Sequence, residues 1–170
     1  MSSDKKLYIL IGQKGSGKSF IGNMIQDLYG IKFINVENIA LKVKRDRAID
    51  DESYLVEVFF KIESHLRNAL RDEASIIFES TGLSRQFDMM LVNLKMDYRV
   101  TTIKVNADEN LCIERIHSRD KSTHVNVSDS EIMRINAFVR QKNLVCDYEI
   151  NNDGHVEDLV SKLSKIFRRE

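Results

Sequence analysis

A chain of 170 residues with 42% hydrophobic and 31% charged residues has the length and apolar content for one domain over 1–170 with one core, which excludes a disordered chain. Lysine plus arginine and aspartate plus glutamate each number 26, so the formal charge is zero and no global field recruits nucleic acid or membrane. Any polyanion site must be local. No apolar run approaches the roughly 20 residues of a membrane span, and the opening MSSDKKLYILIG lacks a signal peptide's apolar stretch, so a cytoplasmic location is expected. Cys112 and Cys146 have no second Cys or His at ligand spacing, so neither a zinc site nor a disulfide framework is indicated. Proline is absent, which leaves turns to Gly, Asn and Asp.

In chain order, the first β-rich apolar run is 7–11. It is followed at once by Gly12-Gln13-Lys14-Gly15-Ser16-Gly17-Lys18-Ser19, a full match to GxxxxGK[ST], and then by a helical segment from Phe20. A second strand is predicted over 32–36, and a basic stretch with Lys42, Lys44, Arg45 and Arg47 fills an insertion at 38–52. Leu55, Phe59, Ile62, Leu66 and Leu70 recur at helical spacing and mark a core-facing stripe. A third strand, 75–78, runs into Glu79, and a fourth covers 100–105. Asp108 and Glu109 favour a helix start, since carboxylates suit the positive end of the helix dipole. The insertion 117–131 is polar and poor in large apolar side chains, so it is either a mobile lid or a long loop. A fifth strand at 147–150 and a helix over 155–167 close the chain. Strands alternating with helices predict an α/β fold with a parallel sheet covered on both faces.

The glycine-rich loop carries the strongest chemical signal. Its glycines permit backbone conformations closed to other residues, so Gly12, Gly15, Ser16 and Gly17 can turn successive amides toward phosphate at a helix N-terminus. Lys18 would neutralise the β/γ oxygens, and the Ser19 hydroxyl suits a magnesium ion, which takes few protein ligands. No NKxD sequence occurs and no DxxG follows the third strand, so guanine specificity has no visible basis.

On these residues the chain resembles, over about 5–167, the small-molecule and nucleotide kinases of the phosphate-loop class. These include shikimate and gluconate kinases, nucleoside monophosphate kinases and polynucleotide-kinase-like proteins. The stretch Cys146-Asp147-Tyr148-Glu149-Ile150-Asn151-Asn152-Asp153-Gly154 looks like their fifth strand and adenine-side turn, which implies that Asn152, Asp153 and Gly154 lie against adenine. A plain Asn-Asp-Gly turn explains the same residues. Phe33-Ile34-Asn35-Val36-Glu37 is placed like the FxDxD stretch of shikimate kinases, with Asn and Glu replacing the two aspartates. Ile76-Ile77-Phe78-Glu79-Ser80-Thr81-Gly82-Leu83, followed by Arg85, looks like the DxTxL segment of polynucleotide-kinase-like proteins with Glu for Asp.

The resemblance implies a three-layer α/β/α fold with strand order 2-3-1-4-5 and a small lid. It implies ATP and Mg²⁺ as cofactors and transfer of the γ-phosphoryl group to a small metabolite or nucleotide. Glu79 would hold magnesium's water shell or accept the acceptor's proton. Arg115 and Arg119, four apart on one helix face leading into the lid, would bind the transferring phosphates. Glu37, Arg45, Arg47 and Arg85 are the acceptor-side candidates, and the basic cluster suits an anionic acceptor. A monomer or weak homodimer, without nucleic acid or membrane partners, is expected. Acceptor-independent ATP hydrolysis and ATP binding without turnover are the alternatives.

Overall fold

The run from Leu7 to Gly12 is buried at every position, which a strand achieves only inside a parallel sheet covered on both faces. The computed structural model describes residues 4–167 and places this strand, β1 (Lys6–Gly12), at the centre of the sheet. Around it follow α1 (Lys18–Tyr29), β2 (Lys32–Ile34), α2 (Val36–Lys44), α3 (Glu52–Asp72), β3 (Ser75–Ser80) and α4 (Arg85–Asp97). The second half contributes β4 (Arg99–Asn106), α5 (Glu109–Ser118), a 3-10 turn (Lys121–Thr123), α6 (Asp129–Lys142), β5 (Tyr148–Asn151) and α7 (Val156–Phe167).

The five strands are parallel in the order β2-β3-β1-β4-β5, the expected arrangement of a phosphate-loop NTPase. Because successive side chains alternate across the sheet, Leu7, Ile9 and Ile11 join Ile76 and Phe78 in a core under α2, α3 and α4. Tyr8 and Leu10 point the other way, into a second core with Ile77, Ile103, α1 and α7. Among the described residues no helix is long and apolar enough to cross a membrane, and no cluster of three potential metal ligands occurs.

Three elements differ from the sequence-based expectation. Strand β3 continues two residues beyond 78, so Glu79 lies inside the strand, paired in register with Leu10, and does not close it. The first part of the insertion 38–52 belongs to helix α2, which begins at Val36 on an Asn35 cap and ends at Lys44. Helix α6 occupies a stretch for which the apolar pattern predicts nothing, because only Ile132, Ile135 and Asn136 of its fourteen residues are buried. What starts it is local: Ser128 and Glu131 form a reciprocal capping box.

Candidate active site

The loop between β1 and α1 is shaped by where its carbonyls go. Lys18 Nζ donates to Gly12 O (3.0 Å) and Gln13 O (2.7 Å). Asn136 of α6 takes both sides of Lys14, accepting from its N–H (2.8 Å) and donating to its carbonyl (3.1 Å). Arg115 donates to Gly15 O and Ser16 O, and Asn152 Nδ2 donates to Ser16 O (2.9 Å). With the Lys14, Gly15 and Ser16 carbonyls held by residues from outside the loop, its amides and the first turn of α1, whose N–H groups have no intrahelical partners, are left for a ligand. Ser16 Oγ is buried there with no partner among the described residues.

Two glycines are required by this geometry. Gly15 (φ 82°) and Gly17 (φ 92°) are left-handed, and a Cβ at Gly15 would sit 2.2 Å from Cys112 O. Gly12 is different: it is the last residue of β1, with no left-handed backbone, and its Cβ would strike Val105 O. The loop fits a polyphosphate by donor geometry and by charge, since Lys18 is enclosed within it. Burial lowers the Lys18 ammonium from 10.5 to about 8, an effect that the Glu79 carboxylate partly opposes.

Glu79 is 8% exposed, and its Oε1 accepts from Ser19 Oγ at 2.7 Å. Parallel pairing of β1 with β3 brings the two together at the carboxyl edge of the sheet, where open α/β folds hold ligands. Ser19 and Glu79 form a hard-oxygen pair at the mouth of the loop, the donor type magnesium accepts.

A cavity of about 840 Å³ begins at this point and extends beneath α2 and α3. Gly15, Gly17, Lys18, Ser19, Glu79, Arg115, Arg119, Glu37, Asn152 and Gly154 all line it. Arg45, Arg47 and Arg85 do not. Arg47 is instead the centre of the α2–α3 corner: it donates to Val43 O, pairs with Glu57 at 2.8 Å and lies over the Tyr54 ring. Arg45 and Arg85 are exposed.

The two arginines of α5 part company. Arg115 lies within the helix and is committed to the Gly15, Ser16 and Asn152 carbonyls, the last at 2.8 Å. Arg119 is the extended residue after the helix, so the two do not share a helix face. It reaches the cavity half-buried, its pKa lowered by burial against the opposing charges of Glu37 and Glu79. The turn after β5 is also engaged: Asn152 holds Ser16, and Asp153 Oδ1 accepts from Asp108 N–H at 2.6 Å. Gly154 keeps a place on the cavity wall.

The model of an AAA domain family matches residues 7–141, most of the chain. The chain belongs to this family. No curated protein matches it in sequence. Solved structures with the same fold include a shikimate kinase from Aquifex aeolicus, 20% identical over 96% of each chain with a TM-score of 0.64. A gluconokinase from Sinorhizobium meliloti is 15% identical, covering 99% of this chain and 96% of its own, TM-score 0.66. An APS kinase from Mycobacterium tuberculosis, solved with AMPPNP and APS, is 11% identical over 96% and 98% of the two chains, TM-score 0.63.

Sequence reasoning missed Asn136 and the role of His124. Asn136 is 1% exposed on a helix of weak apolar pattern, so only its burial marks it as the clamp on Lys14. His124 Nδ1, buried without a hydrogen-bond partner among the described residues, lies 3.5 Å from Glu37 Oε1, which sets the segment 117–131 against α2 at the cavity. No spacing in the sequence signals a pair formed by residues so far apart.

Proposed function

We propose that the chain is a kinase that transfers the γ-phosphoryl group of ATP to the hydroxyl of a small metabolite or nucleotide. The observation that carries this reading is one continuous cavity with a phosphate loop at one end and a second chamber at the other, with Glu79 at their junction. An enzyme that only hydrolyses ATP has no use for that second chamber. The kinases that share the fold support the same reading, among them one solved with AMPPNP.

In this reading the loop amides, Lys18 and Ser19 hold the phosphates, and Gly154 lies beside the adenine. Arg119 faces the transferring group, where a fixed guanidinium stabilises charge on the equatorial oxygens. Arg115 acts one step back, by holding the loop and the β5 turn together. Ser19 and Glu79 would hold Mg²⁺, directly or through its waters, and the ion supplies charge neutralisation at the phosphate oxygens. Glu79 and Glu37 are the two carboxylates placed to take the acceptor's proton. Transfer itself requires little covalent chemistry from the protein beyond positioning and charge.

The test is to incubate the chain with γ-labelled ATP and Mg²⁺, with and without a panel of metabolites and nucleotides. Acceptor-dependent label transfer is the expected result. Free phosphate alone would make the protein a hydrolase, and binding without turnover would make it an ATP-binding regulator.

A further inference from the structure

The chamber beyond Glu79 is chemically unlike the loop. Its wall is mostly carbon, with Val36 and Ala40 from α2, Leu55, Val58 and Phe59 from α3 and Phe138 from α6. The hydroxyl-bearing Tyr54, Ser80, Thr81 and Ser84 are set among them. The charged groups that face it are Glu37, Asp50, Glu79, Arg119, His124 and Arg134. Two of the three basic groups stand near carboxylates, one inside the chamber and one at its exposed rim. His124 Nδ1 stands 3.5 Å from Glu37 Oε1, and Arg134 Nη2 stands 3.6 Å from Asp50 Oδ2. Arg119 sits at the border with the loop, where the charges of Glu37 and Glu79 both reach it.

The basic stretch that suggested an anionic acceptor turns elsewhere, since Lys42, Lys44, Arg45 and Arg47 are all absent from the cavity wall. An anion entering this chamber would lose water and face three carboxylates, with Arg119 at the border and Arg134 at the exposed rim as the guanidinium groups in reach. Burying charge on those terms is unfavourable, whereas an apolar body gains from leaving water. Resting on the phosphotransfer reading, we infer that the acceptor is an uncharged alcohol with a ring-sized apolar body, and that small anionic metabolites are not its substrates. In the transfer, the alcohol oxygen bonds to the γ-phosphorus. The bond from that phosphorus to the β–γ bridging oxygen breaks, its electron pair leaving on ADP, and the hydroxyl proton passes to Glu79 or Glu37.

Phenylpropanol serves as the uncharged probe, with gluconate and shikimate as the anionic ones. Binding is read by saturation-transfer NMR on the full chain loaded with AMPPNP, and transfer by label from γ-labelled ATP. Phenylpropanol should bind and should take label at least about threefold above the no-acceptor rate, while neither anion does. Ala40→Phe narrows the chamber from α2, and should weaken phenylpropanol binding about tenfold or more while ATP affinity stays unchanged and the protein stays folded by circular dichroism. Binding of the anions in preference to phenylpropanol overturns the inference and leaves phosphotransfer standing. So does phenylpropanol binding that Ala40→Phe does not affect, and so does failure of all three probes to bind. If phenylpropanol binds in the Ala40-dependent way but label passes only to water, the phosphotransfer reading is what fails, and the chamber's preference for uncharged apolar bodies holds.

Discussion

The phosphate-loop end of the cavity and the chamber beneath α2 and α3 share one space but are built from different materials. At the loop end the proposed binding groups are the backbone amides of residues 12–19, and side chains such as Asn136, Arg115 and Asn152 hold that backbone in place. In the chamber the surface is side chains from α2, α3 and α6, brought together only by packing. A site made of contiguous backbone tolerates a changing scaffold around it, whereas a site made of scattered side chains takes a new chemistry with each substitution. The loop end therefore carries what is common to phosphate binding, and the chamber carries what is particular to this protein.

The sharpest way to break this division lies at the border. Glu79→Gln keeps size and removes charge, so turnover should fall about 10²- to 10⁴-fold while ATP affinity survives, measured as maximal rate beside the ATP dissociation constant. A rate loss under about threefold would move Glu79 out of the chemistry and make Glu37 the next carboxylate to test. Within the loop end, Lys18→Ala should cost about 10²- to 10³-fold in turnover without unfolding the protein, read as maximal rate beside circular dichroism.

The pH dependence belongs to the loop end as well. Buried Lys18 in the free protein titrates at about 8, below its ordinary 10.5, and a polyanion prefers the charged form. ATP affinity should be flat below that point and then weaken by up to about tenfold per pH unit above it, with proton uptake on binding. Lys18→Arg should flatten the profile. The linked stability has the opposite sign: between about 8 and 10.5 the unfolded chain holds this proton more firmly, so the group's contribution to stability rises with pH across that window.

Smaller effects test the chamber. Residues 117–131 carry His124, which faces Glu37, and few apolar anchors, so their amide hydrogen exchange should slow severalfold when ATP and acceptor bind together. Unchanged exchange in a turnover-competent sample would remove the lid. Arg47→Ala should leave transfer unaltered and cost about 1–3 kcal/mol in denaturant unfolding, since Arg47 holds Val43 O and Glu57 at a half-buried corner away from the cavity.

Some of this was readable from the residues alone. The strand-loop-helix at the start of the chain is local: β-rich residues, glycines where the backbone is left-handed, then helix formers, so the motif and its structure occupy the same segment. Glu79 was legible because an acid in an otherwise apolar strand stands out, although its register within β3 was not. Arg47 was misread because charge on a basic stretch says nothing of direction, and here the guanidinium folds back onto its own corner. Asn152 lines the cavity as expected of the turn after the fifth strand, and what no local pattern shows is that its amide grips Ser16 O, a contact spanning most of the chain.

The amino-acid sequence by itself determined the alternation of strands and helices, the phosphate loop and the carboxylate beside it, because each depends on conformational preference or hydrophobic pattern over fewer than about twenty residues. Tertiary structure alone decided that Asn136 would clamp Lys14, that Arg115 and Arg119 would separate at a helix end, and that the basic stretch would turn away from an apolar chamber. Those outcomes depend on which side chains meet across the fold, and packing sets those meetings with no period or spacing to record them in the chain.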